Sequence, residues 1–122
     1  MTDTDPSEQS PAPGQPEVRH NDAEHRYEVL VDGALAGLTA YTDSDGRRIF
    51  FHTEVDDAYA GRGLAAVLVS TALAETKAAG LRIVPVCPYV AKYVTRHHEV
   101  DDVLDPVTPE ALQAVRAAVG QA

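Results

Sequence analysis

The stretch "YAGRGLAAVLVSTALAE", residues 59–75, sets two glycines around an arginine and then runs at once into an apolar pattern. Leu64, Val67, Leu68, Thr71, Ala72 and Glu75 recur at intervals of three and four, and Gly80 supplies a stop. This predicts a helix of about four turns that starts just after Gly63. Backbone N–H groups at a helix start have no intrahelical partner and lie at the positive end of the helix dipole. A glycine-rich turn leaves them open to close approach by an anion such as a phosphate. On this reading Ala60, Gly61, Arg62, Gly63, Leu64 and Ala65 form a cradle, with the amides of Arg62 to Ala65 as donors. The competing reading is that two glycines simply make a tight strand-to-helix turn. No Lys and Ser or Thr follow as in a Walker loop, and "AGRGLA" lacks the three-glycine spacing of a dinucleotide site.

Working outward, the preceding segment alternates as strands do. In "HRYEVLVDGALAGLTAYTDSDGRRIFFHTEV", residues 25–55, Tyr27, Val29 and Val31 fall on one face and Asp32-Gly33 is a hairpin signal. Leu35 to Thr42 is a second run and "DSDG" at 43–46 a second turn. Arg48 to Val55 is then a third strand, rich in aromatic and β-branched residues. Beyond Gly80, "LRIVPVC" at 81–87 is too short for a buried helix and reads as an interior strand, so that strand three, helix and this fourth strand make a parallel βαβ unit. Pro85 is awkward in a regular ladder and predicts a bulge or splay. "PYVAKYVTRH" reads as a helix opened by Pro88, and "DPVTPEALQAVRAAVGQA" as another with Thr108 as N-cap and Pro109 at its first position.

The ends and the composition narrow the class. Residues 1–24 are rich in Pro, Ser, Asp, Glu and Gln, and cannot bury enough surface to offset the entropy of ordering, which predicts a disordered tail. Six acids (Asp3, Asp5, Glu8, Glu17, Asp22, Glu24) stand there against Arg19, so about half of the chain's net charge of -9 belongs to that tail. The expected division is a tail at 1–24, a domain at 25–104 and a helical extension at 105–122. A net charge of -9 with only 10 Lys and Arg argues against nucleic acid as a partner. One cysteine, no leader pattern and no apolar run of membrane-spanning length point to the cytoplasm, with no membrane partner.

Several residues carry candidate chemistry. His52 and Glu54 alternate on the third strand and so share a face, where the imidazole is suited to act as a base near neutral pH; an ordinary polar strand face is the alternative. Cys87 ends the fourth strand just before the Pro88 helix, where a thiol can become nucleophilic, although a free cysteine is also a small buried hydrophobe. His97 and His98 are adjacent on a helix and point about 100° apart, without a matching spaced pair, so no metal is expected. They are better placed to cap the helix end.

Taken in order, "FFHTEV", "GRGLAAVLV" and "IVPVCPYVAKYVTRH" resemble the GNAT superfamily of acyl-coenzyme A N-acyltransferases, and in particular its compact YjdJ-like branch, over about residues 25–104. The superfamily motif is Gln or Arg, two residues, Gly, one residue, then Gly or Ala. Gly61, Arg62 and Gly63 match it, while Ala58 stands at the Gln or Arg position. The resemblance implies a minimal α/β (α+β layered) fold: a mostly antiparallel sheet with one parallel βαβ junction and flanking helices. It implies acetyl-coenzyme A as cosubstrate, its pyrophosphate on the loop Ala60 to Ala65 and its pantetheine arm along a splayed strand edge, and an amine acceptor (a small amine, a polyamine or a protein lysine). The branch pattern has a histidine and a cysteine at the positions of His52 and Cys87. Tyr93, with Tyr89 as rival, stands where many members carry the tyrosine that protonates the departing sulfur. A non-catalytic coenzyme A-binding module is the alternative, and Ala58 is the residue that favours it.

Overall fold

The computed structural model describes residues 15–120. Five strands form one sheet in the order β1-β2-β3-β4-β5: β1 (Pro16–Asn21), β2 (Arg26–Val31), β3 (Ala34–Ser44), β4 (Arg47–Val55) and β5 (Arg82–Pro85). The helices are α1 (Leu64–Ala78), α2 (Pro88–Arg96) and α3 (Pro109–Gly120). The first four strands are an antiparallel meander and β5 lies parallel to β4, joined to it through α1. The β2–β3 turn is made by Asp32 at φ 51° and Gly33 at φ 82°, both left-handed as a two-residue hairpin loop requires.

The expected disordered tail does not extend to Glu24. Residues 16–21 form strand β1 on the edge of the sheet, and Asp22–Glu24 is a 3-10 turn whose amide at Glu24 bonds the Asn21 side chain; residues 1–14 lie outside the described residues. β1 is held by chemistry that a count of apolar residues misses. On one face Val18 packs against the core, and the His20 ring stacks on Tyr27 with centroids 4.2 Å apart. On the other, Arg19 and Asn21 reach the carboxylate of Glu28 on β2.

Glu28 is the conspicuous buried charge, 1% exposed. Its Oε1 accepts from Arg19 Nε at 2.8 Å; its Oε2 accepts from Arg26 Nε at 2.7 Å and Asn21 Nδ2 at 3.0 Å. Burial alone would raise its carboxyl, but the hydrogen bonds from Asn21, Arg26 and Arg19 prevail and hold it at about 2.

The main core lies between the sheet and α1 with α2: Leu68, Val69, Ala72 and Leu73 pack over Tyr27, Val29, Tyr41, Phe50 and Ile83, with Val90 and Val94 of α2 alongside. The buried stripe of α1 is Leu64, Leu68, Val69, Ala72, Leu73 and Thr76, whereas Val67 and Glu75 are exposed, so the helix is rotated slightly from the face predicted above. On the opposite face α3 covers Ile49 and Val84 through Ala111, and Thr108 Oγ1 caps it by accepting from Ala111 N–H at 3.1 Å.

Candidate active site

The site is built where the parallel pair ends. β5 pairs with β4 only as far as Phe50 and Pro85. Pro85 has no N–H to continue the ladder; Val86 N–H turns back to the Val84 carbonyl at 3.2 Å, and Cys87 N–H makes a last bond to the Phe50 carbonyl at 2.8 Å. Pro88 then opens α2 with Cys87 as its N-cap residue. β4 continues to Val55, and among the described residues no strand pairs with its outer edge beyond Phe50. At about 3.3 Å per residue the uncovered edge, Phe51 to Val55, is roughly 16 Å long. This is the splay that Pro85 predicts.

β4 also carries an irregularity that decides which way its side chains face. Tyr41 pairs with Phe50 but Ala40 pairs with His52, so Phe51 is the extra residue of a bulge. Phe50 belongs to the α1-side core; past the bulge it is Thr53 that faces inward and His52 and Glu54 that face the opposite side. His52 Nε2 lies 3.1 Å from Glu54 Oε1, and both side chains are more than half exposed. Paired across the strands, Leu38 sits beside Glu54 and Ala40 beside His52. Beyond them a cavity of about 380 Å³ opens at the ends of β3 and β4, with Leu35, Leu38, Glu54, Asp56 and Asp57 among its walls.

Cys87 sits on the inner side. It is 2% exposed and within the main core, and its Sγ donates to Thr53 Oγ1 at 3.2 Å. The hydroxyls of Thr53 and fully buried Thr39 are in turn 2.9 Å apart. The structure therefore brings Cys87 to Thr53 and His52 to Glu54, on opposite sides of one strand, and does not bring Cys87 to His52. The two threonines escape sequence reasoning because their roles depend on cross-strand register.

The glycine turn lies at the same end. After β4 a 3-10 turn, Asp57–Tyr59, is capped by the Asp56 carboxylate accepting from Ala58 N–H at 2.9 Å. Gly61 at φ 83° and Gly63 at φ 72° carry the chain into α1, with Gly63 as N-cap residue. Among the described residues nothing lies within 4 Å of where a Cβ would sit on either, so backbone conformation rather than crowding selects glycine, and the turn is open on that side. Among the described residues no side chain caps α1, and no acid lies in its first turn, which leaves its leading amides to an outside acceptor. Arg62 holds its guanidinium 5.4 Å from the Tyr59 ring centroid.

Tyr93 stands apart, six residues past Cys87 and so about 9 Å along the helix axis. Its ring stacks on His97 with centroids 4.1 Å apart, forming a partition between two hollows in the α1–α2 groove. One, about 290 Å³, has Ser70, Leu73, Lys77 and Val100 among its walls; the other, about 240 Å³, is lined by Ala66, Tyr89, Lys92, Tyr93, Arg96 and His97. Burial, with the charge of Glu99 nearby, pushes the Tyr93 hydroxyl above its ordinary range against an opposing hydrogen bond with Ser70, so it keeps its proton at neutral pH. His97 is the C-cap residue of α2, and His98 bonds Asp101 at 2.9 Å. Among the described residues no three His, Cys, Asp or Glu side chains gather as a metal site, and no helix is long and apolar enough to cross a membrane.

Comparison with known proteins agrees with this geometry. The family model for the GCN5-related N-acetyltransferase domain matches residues 26–103. Protein NATD1 of Bos taurus is 36% identical over 97 residues, 70% of this chain and 86% of that protein. Protein NATD1 of Gallus gallus is 34% identical over 80 residues, covering 64% and 73%. The solution NMR structure of a GCN5-like protein from Staphylococcus aureus superposes with a TM-score of 0.58 at 17% identity, over 76% of this chain and 91% of that one, and shows the same fold. An uncapped glycine turn at a helix start, a splayed parallel pair beside it and a family match across both place the chain in the GCN5-related N-acetyltransferase family.

Proposed function

We propose that the protein transfers an acetyl group from acetyl-coenzyme A to an amine, and that within its family it belongs to the compact YjdJ-like branch, on the order of "HTEV", "GRG" and "PVCPYV" along the chain. The observation that carries the reading is the uncovered β4 edge, which runs from Cys87 to the open, uncapped start of α1. An extended chain fits beside that edge, and a pyrophosphate fits on the amides that follow Gly61, where charge and dipole both favour it. The residues present therefore suit coenzyme A, which supplies the acetyl thioester.

The amine must be neutral to attack. His52, exposed on the open face, takes up its proton, and Glu54 at 3.1 Å orients the imidazole. Cys87 lines the inner end of the splay with its thiol committed to Thr53, an arrangement that supports direct attack by the amine rather than a cysteine-borne acetyl group. Tyr93 retains its proton at neutral pH and is the donor for the departing thiolate. Calorimetric titration with acetyl-coenzyme A and coenzyme A, followed by thiol release over a panel of small amines, polyamines and lysine peptides, tests the proposal. Binding with amine-dependent release supports it. Binding without release favours the coenzyme A-holding module that Ala58 suggests, and absence of binding overturns both.

A further inference from the structure

The chain has two lysines, Lys77 and Lys92, and the fold treats them differently. Lys77, in the last turn of α1, is committed: its Nζ donates to the Glu99 carbonyl and to Asp102 Oδ1, each at 3.0 Å. Lys92 is exposed on α2, and its Nζ makes no hydrogen bond or ion pair with another described residue.

Lys92 lines the hollow of about 240 Å³ in the α1–α2 groove, whose walls hold no carboxylate to fix an ammonium in place. Ala66 lies there from the first turn of α1 and Tyr89 from the first turn of α2. Gly63 is the N-cap residue of the one helix and Cys87 of the other, so the hollow opens between the two ends of the uncovered β4 edge. Tyr93, the proton donor for the departing sulfur in the function proposed above, is another of its walls. A free amine on a flexible four-carbon stem therefore shares a hollow with the group that serves the thioester.

We propose that Lys92 is a self-acetylation site, its amine taking the acetyl group from acetyl-coenzyme A bound to the same molecule. This rests on the coenzyme reading above. The ammonium first gives one proton to solvent, and the neutral Nζ attacks the thioester carbonyl carbon. A C–N bond forms and the C–S bond breaks; the thiolate leaves with the Tyr93 proton, and the second proton shed by the nitrogen returns to Tyr93. Because an alkylammonium at neutral pH is deprotonated only a small fraction of the time, the amide builds up over hours rather than on first mixing. The product is a neutral acetamide in a hollow shared with Arg96, which removes one of its two fixed positive side chains.

The test is incubation of the full chain with acetyl-coenzyme A for several hours at neutral pH, with acetylated residues mapped by peptide mass spectrometry. It is run at a low and a high protein concentration, with and without excess coenzyme A, and acetyl-coenzyme A binding is measured by calorimetry in parallel. We expect label on Lys92 to exceed that on Lys77 by about tenfold or more, because only one of the two amines is held beside the thioester. The fraction labelled per unit time should be the same at both protein concentrations, and excess coenzyme A should suppress it. Lys92→Arg should bind acetyl-coenzyme A and remain unlabelled on α2. Equal label on the two lysines, a rate that rises with protein concentration, or label that coenzyme A does not suppress overturns the proposal. Binding without label on Lys92 overturns it too and leaves the coenzyme reading standing, whereas a wild type that does not bind acetyl-coenzyme A removes both.

Discussion

Replacing Glu28 by Gln isolates the buried charge that fastens β1 to the sheet. In the native chain two guanidinium groups and an amide donate to this carboxylate, and its pKa falls from an ordinary 4.5 to about 2. At about 1.4 kcal/mol per pH unit, that gap corresponds to roughly 3 kcal/mol of stability at pH 7. Because the folded value is the lower one, this stability is fully present above the unfolded pKa and is lost as pH falls from about 4.5 toward 2; about 2 kcal/mol has gone by pH 3. Glu28→Gln keeps the shape and removes the charge. Arg19 is 59% and Arg26 30% exposed, so both can turn to water, and the loss falls mainly on the carboxylate side. Urea unfolding at pH 7 and pH 3 should show the wild type ahead by about 3 kcal/mol at the first and by about 1 kcal/mol at the second. Hydrogen exchange in the variant should be fastest along β1. A difference that does not change with pH, or one under about 1 kcal/mol at pH 7, would refute the assignment of this stability to an ionised Glu28.

Gly63→Val and Gly33→Val both force a β-branched residue to a φ above +70°, at a cost of about 1–2 kcal/mol each. Only the first should also abolish the rise in melting temperature that acetyl-coenzyme A produces, and an undiminished rise in Gly63→Val would move the site elsewhere. His52→Ala should lower amine-dependent turnover by about 10²- to 10⁴-fold near neutral pH, with less loss at higher pH where the amine deprotonates unaided; a flat ratio across pH would exclude a base role. Brief mixing with labelled acetyl-coenzyme A should leave no label on the protein, and a label abolished by Cys87→Ser would establish a cysteine relay instead. At Asp105 burial works against the charged carboxyl, yet the hydrogen bonds from Arg82 and Arg47 outweigh it and lower its pKa. With both arginines more than a third exposed, Asp105→Ala should cost only about 1 kcal/mol in urea unfolding and leave coenzyme affinity unchanged; altered affinity would show that this corner is coupled to the site.

What could be read from the sequence was local. The Asp32-Gly33 turn, the helix after Gly63, the break at Pro85 and the Thr108 cap each follow from residues within a few positions of one another, and each is where those residues put it. What could not be read depends on partners far along the chain. β1 has one aliphatic side chain facing the core, Val18, and its order comes from a ring stack on Tyr27 and a shared carboxylate on β2; neither exists until the strands pair. The Cys87–Thr53–Thr39 chain of hydrogen bonds spans three elements and follows from register alone.

The bulge at Phe51 is the clearest case of register deciding chemistry. Strict alternation from Phe50, which is fixed in the core against α1, would send His52 and Glu54 inward to the same side and leave Thr53 outside. One extra residue on β4 inverts that order: the threonine turns in to meet the thiol of Cys87, and the histidine and its carboxylate partner turn out to the open face, where Glu54 lines the cavity at the ends of β3 and β4. The inversion falls just where Pro85 stops the neighbouring strand, so the strand that exposes its edge is also the strand that has just exchanged its faces. Deleting Phe51 should therefore leave these faces as they are: His52 would then follow Phe50 directly, regular alternation would turn it and Glu54 outward and Thr53 inward, and Ala40 would still pair with His52. A deletion variant in which NMR showed His52 withdrawn from solvent, or the Thr53 contact to Cys87 lost, would show that Phe51 is not the extra residue that sets the faces of this strand.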